Sequence, residues 1–199
     1  MCALCRRDEP PYEKARAAWA FEGPAREMIH RYKYQRRFAL APRLARAMLQ
    51  TPGARAMLFE WQPQVLVAVP LHPSRGRARG FNQSTLLARE LAGLCGVPTL
   101  ELLRRVRRTP PQVGLKGKER RQNVRRAFAV DERLWQHAGA RILLIDDVFT
   151  TGSTLAECAR TLVDAGAGAV GALTVARQQK PDEPRAAENR SLWERMGQF

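Results

Sequence analysis

The stretch Arg141 to Thr154, RILLIDDVFTTGST, constrains this chain more than any other. Ile142, Leu143, Leu144 and Ile145 run together without alternation. Such a run fits a strand buried on both faces of a parallel sheet. Asp146 and Asp147 follow directly, and then the small-residue loop Thr150, Thr151, Gly152, Ser153 and Thr154. LAECARTLVDAG comes next, with apolar residues at helical spacing and Gly166 as a stop. The order is strand, acidic pair, loop, helix, and it predicts an open α/β sheet.

That order has a chemical logic. Ligands of open α/β sheets bind beyond the carboxyl ends of the strands. A loop of Thr, Gly and Ser lets backbone N–H groups converge on a phosphate, and the following helix N-terminus adds a favourable dipole. Gly152 permits close backbone approach or a positive φ. Two aspartates repel that phosphate. They suit a pair of sugar hydroxyls, or an Mg²⁺ carried by a second phosphate group. The plain alternative is an ordinary strand end with a capping Thr and incidental acids. A bare acidic pair fits it; the whole string favours a ribose 5-phosphate with something further on the ring.

A second strand–loop–helix unit lies upstream. Val65 to Val69 is continuous and β-branched, and Pro70-Leu71-His72-Pro73 stops it. SRGRARG then places Arg75, Arg77 and Arg79 among glycines, so a basic loop is expected. Guanidinium forks match phosphate oxygens, and such a loop suits a pyrophosphate. NQSTLLARELAGLCG reads as a helix with Asn82 as N-cap and Gly96 near its end. His72 has no carboxylate partner at fixed spacing, so no general-base role is assigned to it. No G-x-G-x-x-G follows either strand, which argues against a nicotinamide dinucleotide site.

The remaining segments are less specific. Residues 19–60 read as mostly helical after a short entry strand, with Ile29, Tyr32, Leu40, Leu44 and Met48 facing a core and Gly23-Pro24 opening a helix. Lys33, Arg36 and Arg37 read as solvated surface charges. Val97 to Leu103 reads as a strand or edge, Ala127 to Val130 as a return strand, and Ala169 to Ala176 as a parallel strand. Arg104 to Arg126 holds ten basic residues and one acid, a local charge of +9, with Pro and Gly interspersed. A basic segment of that kind serves as a lid over a polyanion or as a track for single-stranded nucleic acid. The tail from Arg177 is polar, with a short helix expected around residues 191–196.

Charge and cysteines narrow the setting. The chain of 199 residues has 34 Lys+Arg against 19 Asp+Glu, a formal charge of +15. That favours polyanionic partners, although 29 of the basic residues are Arg, a bias that genomic base composition also produces. No apolar run reaches membrane-span length and no signal-peptide core opens the chain, so a cytoplasmic protein without membrane insertion is expected. Cys95 and Cys158 sit in helical contexts as small core residues. Cys2 and Cys5 have the C-x-x-C spacing of half a four-ligand zinc site.

DDVFTTGST resembles the phosphoribosyl-pyrophosphate (PRPP) motif of type I phosphoribosyltransferases. Together with IHRYKYQRR, VAVPLHPSRGRARGFNQ and RRTPPQVGLKGKERRQNVRRAF, it resembles the ComF family, linked to competence and DNA uptake in bacteria. The combination of RGFNQ with DDVFTTGST discriminates that family. The resemblance implies a type I phosphoribosyltransferase-like α/β core, a parallel sheet flanked by helices with a helical N-terminal segment. It implies residues 1–18 as the remnant of a zinc module, 19–176 as the core domain, and 177–199 as a tail. Asp146 and Asp147 would hold ribose hydroxyls, and Thr150, Thr151, Gly152, Ser153 and Thr154 the 5-phosphate. Pro70, Leu71, His72, Arg75 and Arg79 would form the pyrophosphate loop, and Arg107, Arg108, Thr109 and Gln112 part of a flexible lid. The implied reaction is Mg²⁺-dependent transfer of phosphoribosyl from PRPP to an unknown nitrogen acceptor. The alternative is a non-catalytic PRPP sensor or single-stranded-DNA module working with competence proteins. Family members carry two C-x-x-C pairs that bind Zn²⁺; here Cys2 and Cys5 supply one.

Overall fold

The computed structural model describes residues 10–34, 38–109 and 117–179. Its centre is a four-stranded parallel sheet in the order β1-β6-β5-β2, built from β1 (Lys14–Ala20), β2 (Val65–Ala68), β5 (Arg141–Phe149) and β6 (Ala169–Arg177). The apolar run of β5 lies in the middle, paired with β2 on one side and β6 on the other. Alternate β5 side chains enter opposite cores. Leu143 and Ile145 pack with Tyr32, Met48, Leu87 and Leu91, whereas Ile142 and Leu144 pack with Leu155, Cys158, Leu162 and Phe128. A strand covered on both faces has no use for polar residues until it leaves the core, which is why its first acids stand at its carboxyl end.

The first face is covered by α1 (Gly23–Tyr34), α2 (Leu40–Met48), α3 (Pro52–Arg55), the π-helical turn Ala56–Glu60 and the later helix α5 (Gln83–Cys95). Ile29, Tyr32, Leu44 and Met48 are fully buried there, as their helical spacing predicts. The second face is covered by α7 (Ser153–Asp164) and by the antiparallel pair β3 (Leu103–Arg105) and β4 (Phe128–Val130). Thr99 bridges Leu66 outside β2, so the expected edge near residues 97–103 is present. Cys158 is buried and Cys95 half-buried, both as free thiols.

Two expectations are corrected. SRGRARG is a short helix, α4 (Pro73–Arg79), rather than an open loop. Pro73 opens it, the His72 side chain caps it, and Gly80 closes it with φ +83°. The sheet begins at Lys14, inside the stretch 1–18 that the resemblance assigns to a zinc-module remnant, because β1 pairs with β6 from Lys14↔Gly171 onward. Cys2 and Cys5 lie outside the described residues, as do Arg36, Arg37, Gln112 and the helix expected around residues 191–196.

Candidate active site

Asp146 and Asp147 stand at the carboxyl end of β5, where neighbouring strands and helices converge. Asp147 is buried at 5 % exposure, and its carboxylate is held from two layers. The Lys33 ammonium of α1 lies 2.7 Å from Oδ1. The Gln83 carboxamide of α5 donates to Oδ2 at 2.5 Å. Asp146 accepts from the Ser84 hydroxyl at 2.9 Å and from the Asp147 backbone N–H at 2.9 Å. Each hydrogen bond to a charged acceptor contributes on the order of 2 kcal/mol when it is not freely solvated.

The clamp is itself supported. The Tyr32 hydroxyl donates to the Gln83 carbonyl at 2.8 Å. Burial, reinforced by the nearby Asp147 carboxylate and Glu90, holds that phenol well above its ordinary value, so it remains a donor. Asn82 caps α5 by accepting from the Ser84 N–H, and its Nδ2 donates to the Val69 carbonyl at 3.0 Å. The first turn of α5 is thereby stitched to the end of β2, which aims Gln83 and Ser84 at the acids.

Electrostatics follow from this packing. Burial, with the neighbouring Asp147 carboxylate, pushes the Asp146 carboxyl up to about 7 against the opposing pull of Lys33. An acid with that value exchanges protons near neutrality while its neighbour stays engaged by an ammonium.

The loop after the acids is built differently. Gly152 is buried with φ +76°, and a Cβ there would lie 2.7 Å from Phe149 Cζ and 3.2 Å from the Tyr12 hydroxyl. Only glycine fits that conformation and that space. Thr151 and Ser153 share a hydroxyl–hydroxyl bond of 2.8 Å. The N-cap position of α7 is Gly152, which has no side chain, and the Thr151 hydroxyl accepts from the Ser153 N–H at 3.5 Å, so the loop's own hydroxyl meets the first turn. The Phe149 carbonyl accepts from the Gln178 N–H, and the Arg177 guanidinium lies over the Phe149 ring at 5.1 Å.

The second sequence-predicted loop meets the site from β2. Pro70 and Leu71 border a cavity of about 390 Å³ that also touches Asn82, Thr85, Leu100 and Arg104. His72 Nδ1 accepts from the Ser74 N–H at 3.2 Å, which makes it the N-cap of α4. Arg75 and Arg79 belong to α4.

The expected lid is partly anchored. Arg107 donates to the carbonyls of Asn123 and Arg125, clasping the two ends of the basic segment together. Thr109 is buried and accepts from Arg105. Arg108 is exposed, and α6 (Gly117–Val124) packs against α7. Arg107 and Thr109 thus sit at the root of the expected lid.

Lys33 is the main correction. Its charge reads as solvated, yet its side chain is only 21 % exposed and sits on Asp147. The signal was present in its spacing. Ala25, Ile29 and Tyr32 form the buried stripe of α1, and Lys33 stands four residues after Ile29. Ser84 and Gln83 follow an N-cap, where a polar side chain usually faces solvent, and nothing local says that they reach a strand 62 or more residues away.

The Phosphoribosyl transferase domain family matches residues 59–194, which include both strand–loop–helix units. The chain is 34% identical over 163 residues to Competence protein F of Haemophilus influenzae, covering 81% of this chain and 71% of that one. It belongs to the ComF family. DNA utilization protein YhgH of Salmonella typhimurium is 35% identical over 171 residues, covering 85% of this ComF-family chain and 74% of that relative. Competence protein ComFC of Streptococcus pneumoniae is 27% identical over 162 residues, covering 81% and 67%. Among solved structures, the allosteric regulatory enzyme of purine biosynthesis aligns with a TM-score of 0.43 at 19% identity, covering 69% of this chain and 26% of that one. The core is thus a type I phosphoribosyltransferase fold, a parallel sheet flanked by helices, as the resemblance implies. Among the described residues no helix is long and apolar enough to cross a membrane.

Proposed function

We propose that this ComF-family protein binds PRPP with Mg²⁺ and transfers its phosphoribosyl group to a nitrogen acceptor. The observation that carries this reading is one strand end with two held carboxylates, followed by a glycine-pinned, hydroxyl-rich loop at a helix N-terminus. The carboxylates accept from ribose hydroxyls. The Thr150–Thr154 backbone and hydroxyls donate to the 5-phosphate. The Pro70–Leu71 turn, beside its cavity, faces the pyrophosphate.

Among the described residues no cluster of three or more His, Cys, Asp or Glu forms a metal cage. Mg²⁺ therefore fits as a passenger of the pyrophosphate, with Asp146 and Asp147 as the anionic groups nearest to receive it. It would neutralise charge on the leaving group. The protein's share is placement and electrostatics. The two acids, Asp147 buried and Asp146 half-buried, fix the ribose and favour positive charge developing on its ring as pyrophosphate departs. Calorimetry with PRPP and Mg²⁺ tests this. Wild type is expected to bind and Asp146→Ala/Asp147→Ala to lose binding; silence from wild type, or equal binding by both, rejects the reading.

The basic segment supports a second reading, a single-stranded-DNA module. Arg104, Arg107, Arg108, Arg121, Arg125 and Arg126 are all exposed around β3, β4 and α6. A steep fall of oligonucleotide affinity with salt, insensitive to PRPP, would favour it.

A further inference from the structure

Lys33 stands apart from the other paired cations. Arg31, Arg89, Arg133 and Arg160 each meet an acid, but their side chains are at least 44 % exposed. Pairs of that kind are screened by water and contribute little. The Lys33 side chain is 21 % exposed and the Asp147 side chain 7 %, with 2.7 Å between the ammonium and Oδ1. Withdrawing an ammonium from water is costly, so the acid pair, not solvent, fixes where it lies.

The four carboxylate oxygens of the pair are accordingly unequal. Asp147 Oδ1 faces the ammonium, and Oδ2 accepts from the Gln83 carboxamide at 2.5 Å. Asp146 Oδ1 accepts from the Ser84 hydroxyl and from the Asp147 backbone N–H, both at 2.9 Å. Among the described residues no group donates to Asp146 Oδ2. The Lys33 charge reaches Asp146 as well, where burial and Asp147 push the carboxyl up and Lys33 opposes them. Two adjacent carboxylates suit a hard divalent cation, which needs several oxygens free to converge on it. Here an ammonium already stands against one of them, and like charges at that range repel strongly.

We propose that Lys33 is the resident cation of the acid pair: its ammonium takes the place of a divalent metal at Asp147 and leaves Asp146 Oδ2 as the oxygen that meets an incoming ligand. The pair alone then holds no divalent cation, and a metal carried in by a diphosphate meets Asp146 rather than Asp147. Lys33 is a positioning residue, acting through Asp147. This deepens the transferase reading, and only the PRPP measurement below rests on it.

The test titrates Mn²⁺ into the full chain without PRPP, followed by electron paramagnetic resonance, with folding of each variant checked by circular dichroism. Wild type is expected to show no Mn²⁺ site that depends on the acids, so Asp146→Asn and Asp147→Asn leave its titration unchanged. Lys33→Met should gain one site, at least about tenfold tighter than wild type, and Lys33→Met/Asp147→Asn should lose it. Lys33→Arg and Arg31→Met should both behave as wild type. A wild-type site that Asp146→Asn removes overturns the proposal, as does a folded Lys33→Met that gains none. Should Lys33→Met not fold, wild type against Asp146→Asn decides alone. PRPP calorimetry in Mg²⁺ and in EDTA adds a second readout. Lys33→Met should depend on Mg²⁺ more steeply than wild type or Lys33→Arg; equal dependence overturns the role of Lys33 in ligand binding. The expected Mn²⁺ results in a protein that ignores PRPP keep Lys33 as the resident cation and overturn the transferase reading instead.

Discussion

The two halves of DDVFTTGST are held in opposite ways. The acids are gripped from afar: Asp147 by Lys33 and Gln83, Asp146 by Ser84. The loop that follows is shaped from within, by the positive φ of Gly152 and the Thr151–Ser153 hydroxyl bond. The difference follows from what each half has to do. A carboxylate at the rim of a covered sheet needs partners to stay charged, and only other layers can supply them. A loop proposed to take a phosphate needs its backbone N–H groups facing outward, so its shape is expected to come from local geometry. One half is therefore a tertiary construction and the other a secondary one.

Substitutions can break that contrast. Asp147→Ala removes the partner of a largely buried ammonium and should destabilise the fold by about 3 kcal/mol in urea unfolding. A loss under about 1 kcal/mol would mean that the long-range grip contributes little. The pH dependence sharpens the same point. The folded value of Asp146 is raised from 3.8 to about 7, so the folded state holds a proton that the unfolded state releases. This group's contribution therefore favours folding below pH 4 and is lost as pH rises toward 7. Asp146→Asn should flatten that part of the stability profile, and a superimposable profile would refute the raised value.

Gly152→Ala tests the local half. Strain at φ +76° and the contact with Phe149 should lower stability by about 2 kcal/mol and abolish PRPP binding. Intact PRPP heat in that variant would show that the loop tolerates displacement. Asn82→Ala should cost about 1 kcal/mol through its lost cap, and it should weaken PRPP binding through Ser84 and Gln83. The smallest effect is expected from His72→Ala, below about 1 kcal/mol, with an unchanged pH profile of PRPP binding. A shifted profile would give His72 a chemical role beyond capping.

The same contrast explains what the sequence made legible. β5, α7, β6 and the loop between them are written locally, in an apolar run, an acidic pair, a small-residue loop and Gly166, and the structure follows that reading. Asn82 as a cap was equally readable. Two glycines and three arginines made α4 look like a loop, because a histidine cap is a weaker signal than the glycines it precedes. The clamp on the acids was not readable. Lysine at position 33 and glutamine at 83 are ordinary surface residue types, and their burial depends on which helices end up over β5. Charge alone misplaces a lysine that stands on the apolar stripe of its helix.

Lys33 and Asp147 are 114 positions apart, yet they meet. On the ribosome, α1 emerges long before β5 exists. Until then Lys33 has no counter-ion and Gln83 no carboxylate to hold. The acid clamp therefore closes only once distant parts of the chain have met. Neither the amino-terminal half nor the carboxyl-terminal half, expressed alone, contains a complete acid clamp. The PRPP binding proposed for this clamp is consequently expected to report on global folding.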